Sequence, residues 1–332
     1  MREVAALAGV SLKTVSRVVN DEPGVSPDVR ERVTAAINRL DYRPNLAASN
    51  LRRTGARTGL IGALVQDISN SFSASLLRAL EDSARRHGTA VLAASLDEGA
   101  DREQELVHDL VTRRVDGLVI MPASERQDYL VGELRSGTPA VFVDRPPRGV
   151  DADSVTIDNQ RGGRLAGDHL LSQGHRRIAV LIDMVRIPTA ERRLAGFSDA
   201  YAQRGLRPDP RMIVTGLRST DEATEVMHEL LALDDPPTAV FTARNILSTG
   251  AVRALAERGL RRDIALVGFD DFPLADLLDP PLTVIRQDVA RIGKTVADLL
   301  FDRIEGNTSP PRHVVHEPTL VVRGSGEIPP PA

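Results

Sequence analysis

Apolar positions along this chain follow two rhythms, and the change between them falls near residue 59. Before it the spacing is helical. In residues 3–20, EVAALAGVSLKTVSRVVN, two short apolar-patterned segments flank Ala8-Gly9-Val10-Ser11, which predicts helix, tight turn and helix. Ser11 is placed to cap the second helix by accepting a bond from an orphan amide. At about 100° per residue, Val15, Val18 and Val19 gather on one side of that helix, while Leu12, Lys13, Ser16, Arg17 and Asn20 gather on the other. Residues 25–40, VSPDVRERVTAAINRL, predict a third helix with Ser26 as cap and Pro27 at its first position. Its apolar positions are Val29, Val33, Ala36, Ile37 and Leu40, and Tyr42-Arg43-Pro44 ends it, because a residue before proline avoids helical backbone. Residues 45–59, NLAASNLRRTGARTG, are polar and basic with one conspicuous leucine, and are too short to hold a helix alone in water.

From Gly59 onward short apolar runs alternate with helical patterns. GLIGALVQD, TAVLAASLD, VDGLVIMPA and PAVFVDR predict strands, separated by helices over residues 72–87, 101–114 and 125–136. The pattern then restarts with SVTIDN, RIAVLID, RMIVTG, TAVFTA and IALVGFDD, separated by helices over residues 159–173, 190–205, 220–233 and 246–258. Strand alternating with helix means parallel sheets with right-handed crossovers, and two such units in sequence imply two lobes with a cleft between them. After PPLTVIRQ the chain crosses back through a helix over residues 288–305, and HVVHEPTLVVR follows as strand and return. The tail GEIPPPA is expected to be non-helical.

Open parallel sheets hold ligands at the carboxyl ends of their strands. Here that rule selects Gln66-Asp67 with Phe72, Asp144-Arg145, Asp158-Asn159, Asp183 through Arg193, Thr242 through Asn245, and Phe269-Asp270. The set is polar with one or two aromatics, which suits a small hydrogen-bonding ligand such as a sugar or nucleoside, stacked on a ring. At the other end of the chain, the polar face of the second helix has the size and chemistry of the DNA major groove. Arg17 and Lys13 can bond guanine, and Asn20, Ser16 or Thr14 can reach bases or phosphates.

Charge sharpens this division. The whole chain of 332 residues carries a formal −4, yet residues 1–58 hold ten basic and six acidic side chains, so the remainder carries −8. A basic head on an acidic body fits a nucleic-acid-binding module attached to something else. With no cysteine, disulfides, thiolate metal sites and cysteine nucleophiles are excluded. No apolar run approaches the length of a membrane span and the N-terminus is no signal peptide, so the expected compartment is the cytoplasm.

The run VAxxAGVSxxTVSRVxN resembles the headpiece of the lac repressor (LacI) family of bacterial transcription regulators, nearly continuously from Glu3 to Asn20. DISNSF, FVDRP, DNxxGGxLAxxHLxxxGHxxIAVL, ERRLAGF, PTAVFTA, VGFDD and PPLTVIRQ resemble successive landmarks of that family's periplasmic-binding-protein-like regulatory domain. The resemblance implies a small all-α helix-turn-helix headpiece over residues 1–44, a hinge helix over 45–58, and an α/β two-lobed type I body with parallel sheets over 59–332. The expected lobes are residues 59–157 with 288–317, and 158–287 with 318–332.

On the same resemblance Leu12, Lys13 and Arg17 occupy operator-specifying positions, Leu51 is a minor-groove wedge, and Arg52, Arg53 and Arg57 meet phosphates. Phe72 stacks on the effector; Asp144, Thr189, Arg193 and Asp270 bond it, with Asn245 beside them from the strand-end rule. The partners implied are operator DNA of two-fold symmetry, a carbohydrate-like effector and a second copy of the chain, with no cofactor and no metal. The tail holds no leucine heptads, so a dimer rather than a tetramer is expected.

The chain departs from the pattern in four places, one of them Arg218, at a position often aromatic in relatives. It opens at Met1 inside the first helix, where relatives carry a preceding Thr, which leaves that helix without a cap and the start codon open. It has Ser49 where many relatives have arginine, and Arg244-Asn245 where they commonly have Asn-Asp. Were Arg193, Arg218 and Arg244 all to face the cleft, the effector would be expected to carry a phosphate or carboxylate.

Other functions fit the sequence less well. Ile292-Gly293-Lys294-Thr295 lacks the upstream glycine of a phosphate-binding loop, since Asp288 stands there. His169 and His175 have no third ligand nearby and are expected to be structural. Asp270 and Asp271, adjacent at a strand end, point to opposite sides and cannot act as paired glycosidase carboxylates. A solute receptor for transport needs a signal peptide and no headpiece. A sugar-active enzyme needs a nucleophile or acid/base pair, and none is found.

Overall fold

The computed structural model describes residues 1–19, 22–42 and 57–331. It divides into two compact units, Met1–Thr58 and Gly59–Ala332.

In the first unit α1 spans Arg2–Ala8, α2 Leu12–Val19 and α3 Pro27–Arg39. Gly9 ends α1 in the left-handed conformation, at φ 64°, which glycine reaches without the Cβ penalty. Ser11 Oγ accepts from the Thr14 amide at 3.1 Å and starts α2 as expected. A core of Val4, Ala5, Ala8, Val15, Val18, Val33 and Ala36 joins the three helices. Ser26 is the N-cap of α3 with Pro27 at the first position as expected, though its hydroxyl makes no cap bond; the expectation for Leu40 fails, since it lies past the last turn, 40% exposed. The uncapped start of α1 is observed, since Met1 offers no side-chain acceptor.

The second unit holds two six-stranded sheets. In chain order its first half runs β1 (Leu60–Val65), α4 (Ser71–Arg86), β2 (Ala90–Ser95), α5 (Ala100–Thr112), β3 (Gly117–Ile120), α6 (Val131–Ser136), β4 (Ala140–Val143) and β5 (Asp153–Ile157). The second half runs α7 (Asn159–Ser172), β6 (Ile178–Leu181), α8 (Pro188–Ala202), β7 (Ile213–Val214), α9 (Thr220–Leu231), β8 (Ala239–Thr242), α10 (Asn245–Glu257), β9 (Ala265–Phe269) and β10 (Thr283–Arg286). Then come α11 (Val289–Ile304), β11 (His313–His316) and β12 (Thr319–Val321).

The first sheet has the order β11-β5-β4-β3-β1-β2, all parallel. The second has the order β12-β10-β9-β8-β6-β7, parallel except for the antiparallel edge strand β12. Three segments pass from one sheet to the other, between β5 and α7, between β10 and α11, and between β11 and β12. A backbone bond from the Asp158 amide to the His316 carbonyl, 2.9 Å, ties two of these segments together. The strands read as near-continuous apolar runs because helices cover both faces of each sheet.

Some expected elements are shorter. The helix expected over 125–136 is a 3₁₀ turn at Asp128–Leu130 followed by α6, because the preceding loop is pinned by the buried Glu103 carboxylate, which accepts the amides of Ala123 and Ser124 and the Tyr129 hydroxyl. RMIVTG pairs over only Ile213 and Val214. The tail contains one 3₁₀ turn, Ser325–Glu327, placed just before the prolines that would forbid it. His169 and His175 bind this tail: the first meets Glu327 Oε1 at 2.5 Å, and the second meets Thr238 Oγ1 at 2.9 Å and the Ile328 carbonyl at 2.8 Å.

Helices α7 and α8 touch backbone to backbone. A Cβ added at Gly163 would lie 1.9 Å from the Arg193 carbonyl oxygen, and one at Gly196 would lie 1.8 Å from that of Gln160. Only glycine fits either place, and the contact fixes the height at which α8 carries Arg193 above the sheet.

Candidate functional site

On α2 the buried Val15 and Val18 hold the helix to its core and leave the opposite side open. Leu12 is 46% exposed, Lys13 is exposed, and Thr14, Ser16 and Arg17 are partly exposed. The side chains of Lys13 and Arg17 make no hydrogen bond or ion pair among the described residues. Thr14 is committed differently, since its hydroxyl lies 2.9 Å from Ser11 Oγ within the cap. Arg32 serves the headpiece itself. Its guanidinium donates to the Ala8 carbonyl at 2.6 Å and 3.2 Å and to that of Gly9 at 3.3 Å, closing the end of α1. Asn20, Leu51, Arg52 and Arg53 lie outside the described residues.

In the body, Phe72, Asp144, Thr189, Arg193, Asn245 and Asp270 all line one cavity between the two sheets, about 70 Å³ measured to the centre of a water-sized sphere. Each is delivered by a strand end or the helix start that follows. Asn70 caps α4 by accepting from the Phe72 amide at 3.0 Å, which sets the ring at the cavity. Across from it Asn245 begins α10, and the two asparagines clasp: Asn70 Nδ2 donates to Asn245 Oδ1 at 2.9 Å, and Asn245 Nδ2 donates to Ser71 Oγ at 2.9 Å. This joins the two lobes directly.

Arg193 is the most enclosed of the set, 6% exposed. Its guanidinium lies 3.6 Å over the Phe269 ring, donates to Asn159 Oδ1 at 2.8 Å and to the Ala243 carbonyl at 2.7 Å, and stands 3.8 Å from Asp270. Burial pulls its pKa below the usual arginine value, against the carboxylates of Asp270 and Asp144. Asp270 accepts from Gln287 Nε2 at 2.6 Å, and burial raises its pKa, partly offset by Arg193. Asp144 is raised too, first by burial, with Arg145 and Arg193 working the other way. Its carboxylate accepts no hydrogen bond among the described residues, and its nearest cation is Arg145 Nε at 3.6 Å. The hydroxyl of the buried Thr189 is likewise without a partner among the described residues.

Strand-end reasoning found Arg145, Asp183 and Arg244, the last two of which pair with each other, but not Glu98. Arg145 turns away from Asp144 to Glu98, with contacts of 2.7 Å and 2.5 Å, and to the Pro122 carbonyl at 2.8 Å. Burial works against its charge, yet Glu98 holds its pKa above the ordinary arginine value. Arg244 donates to Asp183 Oδ2 at 2.7 Å. Arg218 is exposed, does not line the cavity, and presents only its amide, to Glu222 at 2.6 Å. The condition for an anionic effector is therefore not met: of three candidate cations one lies elsewhere, and the other two already have carboxylates. Glu98 follows directly on the strand run TAVLAASLD, and the strand-end rule applied to that run would have pointed to it.

Among the described residues no group of His, Asp or Glu is arranged to hold a metal, and no helix is long and apolar enough to cross a membrane.

Comparison with known proteins agrees with both units. Residues 1–45 match the bacterial regulatory proteins of the lacI family, and residues 167–326 match the periplasmic binding protein-like domain. The HTH-type transcriptional repressor PurR of Aliivibrio salmonicida is 31% identical over 329 residues, covering 98% of each chain. The lac repressor dimer bound to operator and the anti-inducer ONPF superposes with a TM-score of 0.85 at 30% identity, over 97% of both chains. The transcriptional regulator CelR in complex with cellobiose gives a TM-score of 0.72 at 33% identity, over 97% of this chain and 98% of that one. With a helix-turn-helix at one end and a two-lobed α/β body behind it, this chain belongs to the lacI family of bacterial regulatory proteins, DNA-binding transcription regulators, not enzymes, whose action a small-molecule effector controls.

Proposed function

We propose that this chain is a repressor that reads its operator with α2 and releases or grips it in response to a neutral, polyhydroxylated effector of the sugar class. Lys13 and Arg17 make the base contacts from the exposed side of α2, Leu12 packs against a base edge, and Ser16 and Asn20 bond bases or phosphates. Leu51 and Arg52 belong to the hinge that meets the minor groove. One headpiece reads one half-site, so the working form is a dimer on a two-fold site. A repressor works where the operator is, which puts the protein in the cytoplasm.

The observation that carries the effector class is the state of the cleft's polar groups. Its guanidiniums are occupied by carboxylates, while the Asp144 carboxylate and the Thr189 hydroxyl remain open beside the Phe72 ring. A hydroxyl donates to the first, exchanges a bond with the second, and leaves a C–H face for the ring; a phosphate would meet Asp144 and be repelled. The name of the cellobiose-bound relative supports the same class. The lobes hold each other through the Asn70–Asn245 clasp, and the effector acts by its different affinity for the closed and open arrangements.

Fluorescence anisotropy on DNA flanking the chain's own gene tests this. Steeply salt-dependent binding is expected, relaxed at one base position by Lys13→Ala and at another by Arg17→Ala, and shifted by a neutral sugar. Binding shifted by sugar phosphates but by no neutral sugar would remove the assignment of Asp144.

A further inference from the structure

We propose that the Arg145–Glu98 ion pair is the end wall of the effector cleft and limits the effector to a single sugar ring. The inference rests on the saccharide reading above and adds to it the length of the ligand.

Behind the cleft lies a second cavity of about 50 Å³, lined by Pro122, Ser124, Glu125, Arg148, Arg186 and Pro188 among others. The two cavities share three lining residues, and these are Glu98, Arg145 and Ile187. What separates the spaces is therefore this ion pair from one lobe, with Ile187 opposite it from the other. The pair is almost out of solvent, its side chains 10% and 14% exposed.

The wall is fixed by a network running through four successive strand ends of one lobe. Gln66, after β1, donates Nε2 to the Met121 carbonyl at 2.9 Å and accepts from the Glu98 amide at 3.0 Å. Glu98, after β2, holds Arg145 through both carboxylate oxygens, and Arg145, after β4, donates to Pro122 beyond β3. Glu98 has φ 56°, a left-handed backbone that a glutamate adopts only when its surroundings impose it. A buried ion pair adds little net stability, because desolvating both charges offsets their attraction. Its bidentate geometry fixes position instead. The position fixed here closes the cleft, with its open groups Asp144, Thr189 and Phe72, toward a neighbouring groove whose Arg148, Arg186, Ser124 and Glu125 would suit the hydroxyls of a second ring, while Phe72, Asp270 and Gln287 bound the cleft toward another groove.

The test is calorimetry on the full chain with D-ribose, D-xylose, D-glucose and D-galactose against cellobiose, maltose, lactose and trehalose. The unsubstituted protein is expected to bind a single-ring sugar of the set, and every two-ring sugar of the set at least tenfold more weakly than it. Replacing both wall residues, Arg145→Ala with Glu98→Ala, avoids stranding one buried charge and should raise two-ring affinity at least tenfold relative to the single ring. Arg145→Met with Glu98→Gln keeps the bulk without the charges and should keep the exclusion; thermal unfolding of each variant reports folding. A two-ring sugar bound by the unsubstituted protein as tightly as that single ring overturns the proposal. If no sugar binds any version, the saccharide reading falls, and a crystal structure of the alanine pair judges the wall alone: one continuous cavity upholds it, and two separate ones end it.

Discussion

Asp144 ends β4 in one lobe and Asp270 ends β9 in the other, and their backbones are near copies. Both are left-handed, at φ 69° and 68°, and both donate their amide to the neighbouring strand, at the Val155 and Ile285 carbonyls. Their side chains meet opposite circumstances. Asp270 holds Gln287 and stands beside Arg193, itself locked to Asn159, Ala243 and Phe269. Asp144 has an arginine as its next residue, but Glu98 has taken that guanidinium, and the carboxylate is left open to the cleft. One lobe thus presents a preassembled surface, and the other presents an acceptor without a donor. The difference teaches where a ligand gains most. A group that arrives already satisfied contributes shape, whereas a buried acceptor without a partner rewards whatever supplies the proton.

The most damaging way to break the comparison is on the preassembled side. Arg193→Ala leaves Asp270 buried beside an empty space, and calorimetric unfolding should show a loss of about 3–5 kcal/mol. Arg193→Lys should rescue little, since an ammonium cannot serve Asn159, Ala243 and the Phe269 ring together. Next is Gly196→Ala, which drives a methyl into the Gln160 carbonyl and should cost about 2–3 kcal/mol, read as a lower unfolding midpoint with weakened effector binding. A smaller effect is expected at the clasp. Asn245→Ala removes bonds to Asn70 and Ser71, worth about 1–2 kcal/mol in the closed arrangement, and small-angle scattering should report a larger radius of gyration without effector.

The smallest effect sharpens the contrast instead of breaking it, and depends on pH. Burial raises the folded-state pKa of Asp144 above the ordinary 3.8, so the folded chain holds that proton more tightly than the unfolded chain. Stability from this group is complete below the ordinary value and is lost as pH rises through the raised one. Asp144→Asn should therefore raise the unfolding midpoint at pH 7, with the gain shrinking as pH falls toward 4. Asp270→Asn should gain less, because it also disturbs the bond from Gln287. A larger gain at Asp270 than at Asp144 would reverse the assignment of open and satisfied acceptors.

Much of this was legible in the chain. A glycine between two short amphipathic segments, with Ser11 three residues ahead of Thr14, announces the headpiece turn, and the structure shows that cap. The ends of strands such as AVFV and ALVGF locate Asp144 and Asp270 because the rule relating ligands to strand ends needs only the strand positions. Illegible were the choices among partners. Nothing near Arg145 indicates that it prefers Glu98, 47 residues earlier, to the aspartate beside it. Leu40 falls outside the core for a related reason: its spacing continues the apolar side of α3, but the helix has already ended at Arg39.

Local order, then, belongs to the sequence: where helices cap, where strands stop, and which few side chains those stops present. It does so because backbone periodicity and capping act within a handful of neighbours. Which carboxylate each guanidinium takes, that Asn70 meets Asn245 across 175 residues, and that Asp144 is left over were decided only when parallel strands lined up their ends in space. Buried charges choose partners by distance and geometry, and in a sheet whose neighbours are not consecutive in the chain those are properties of the fold alone.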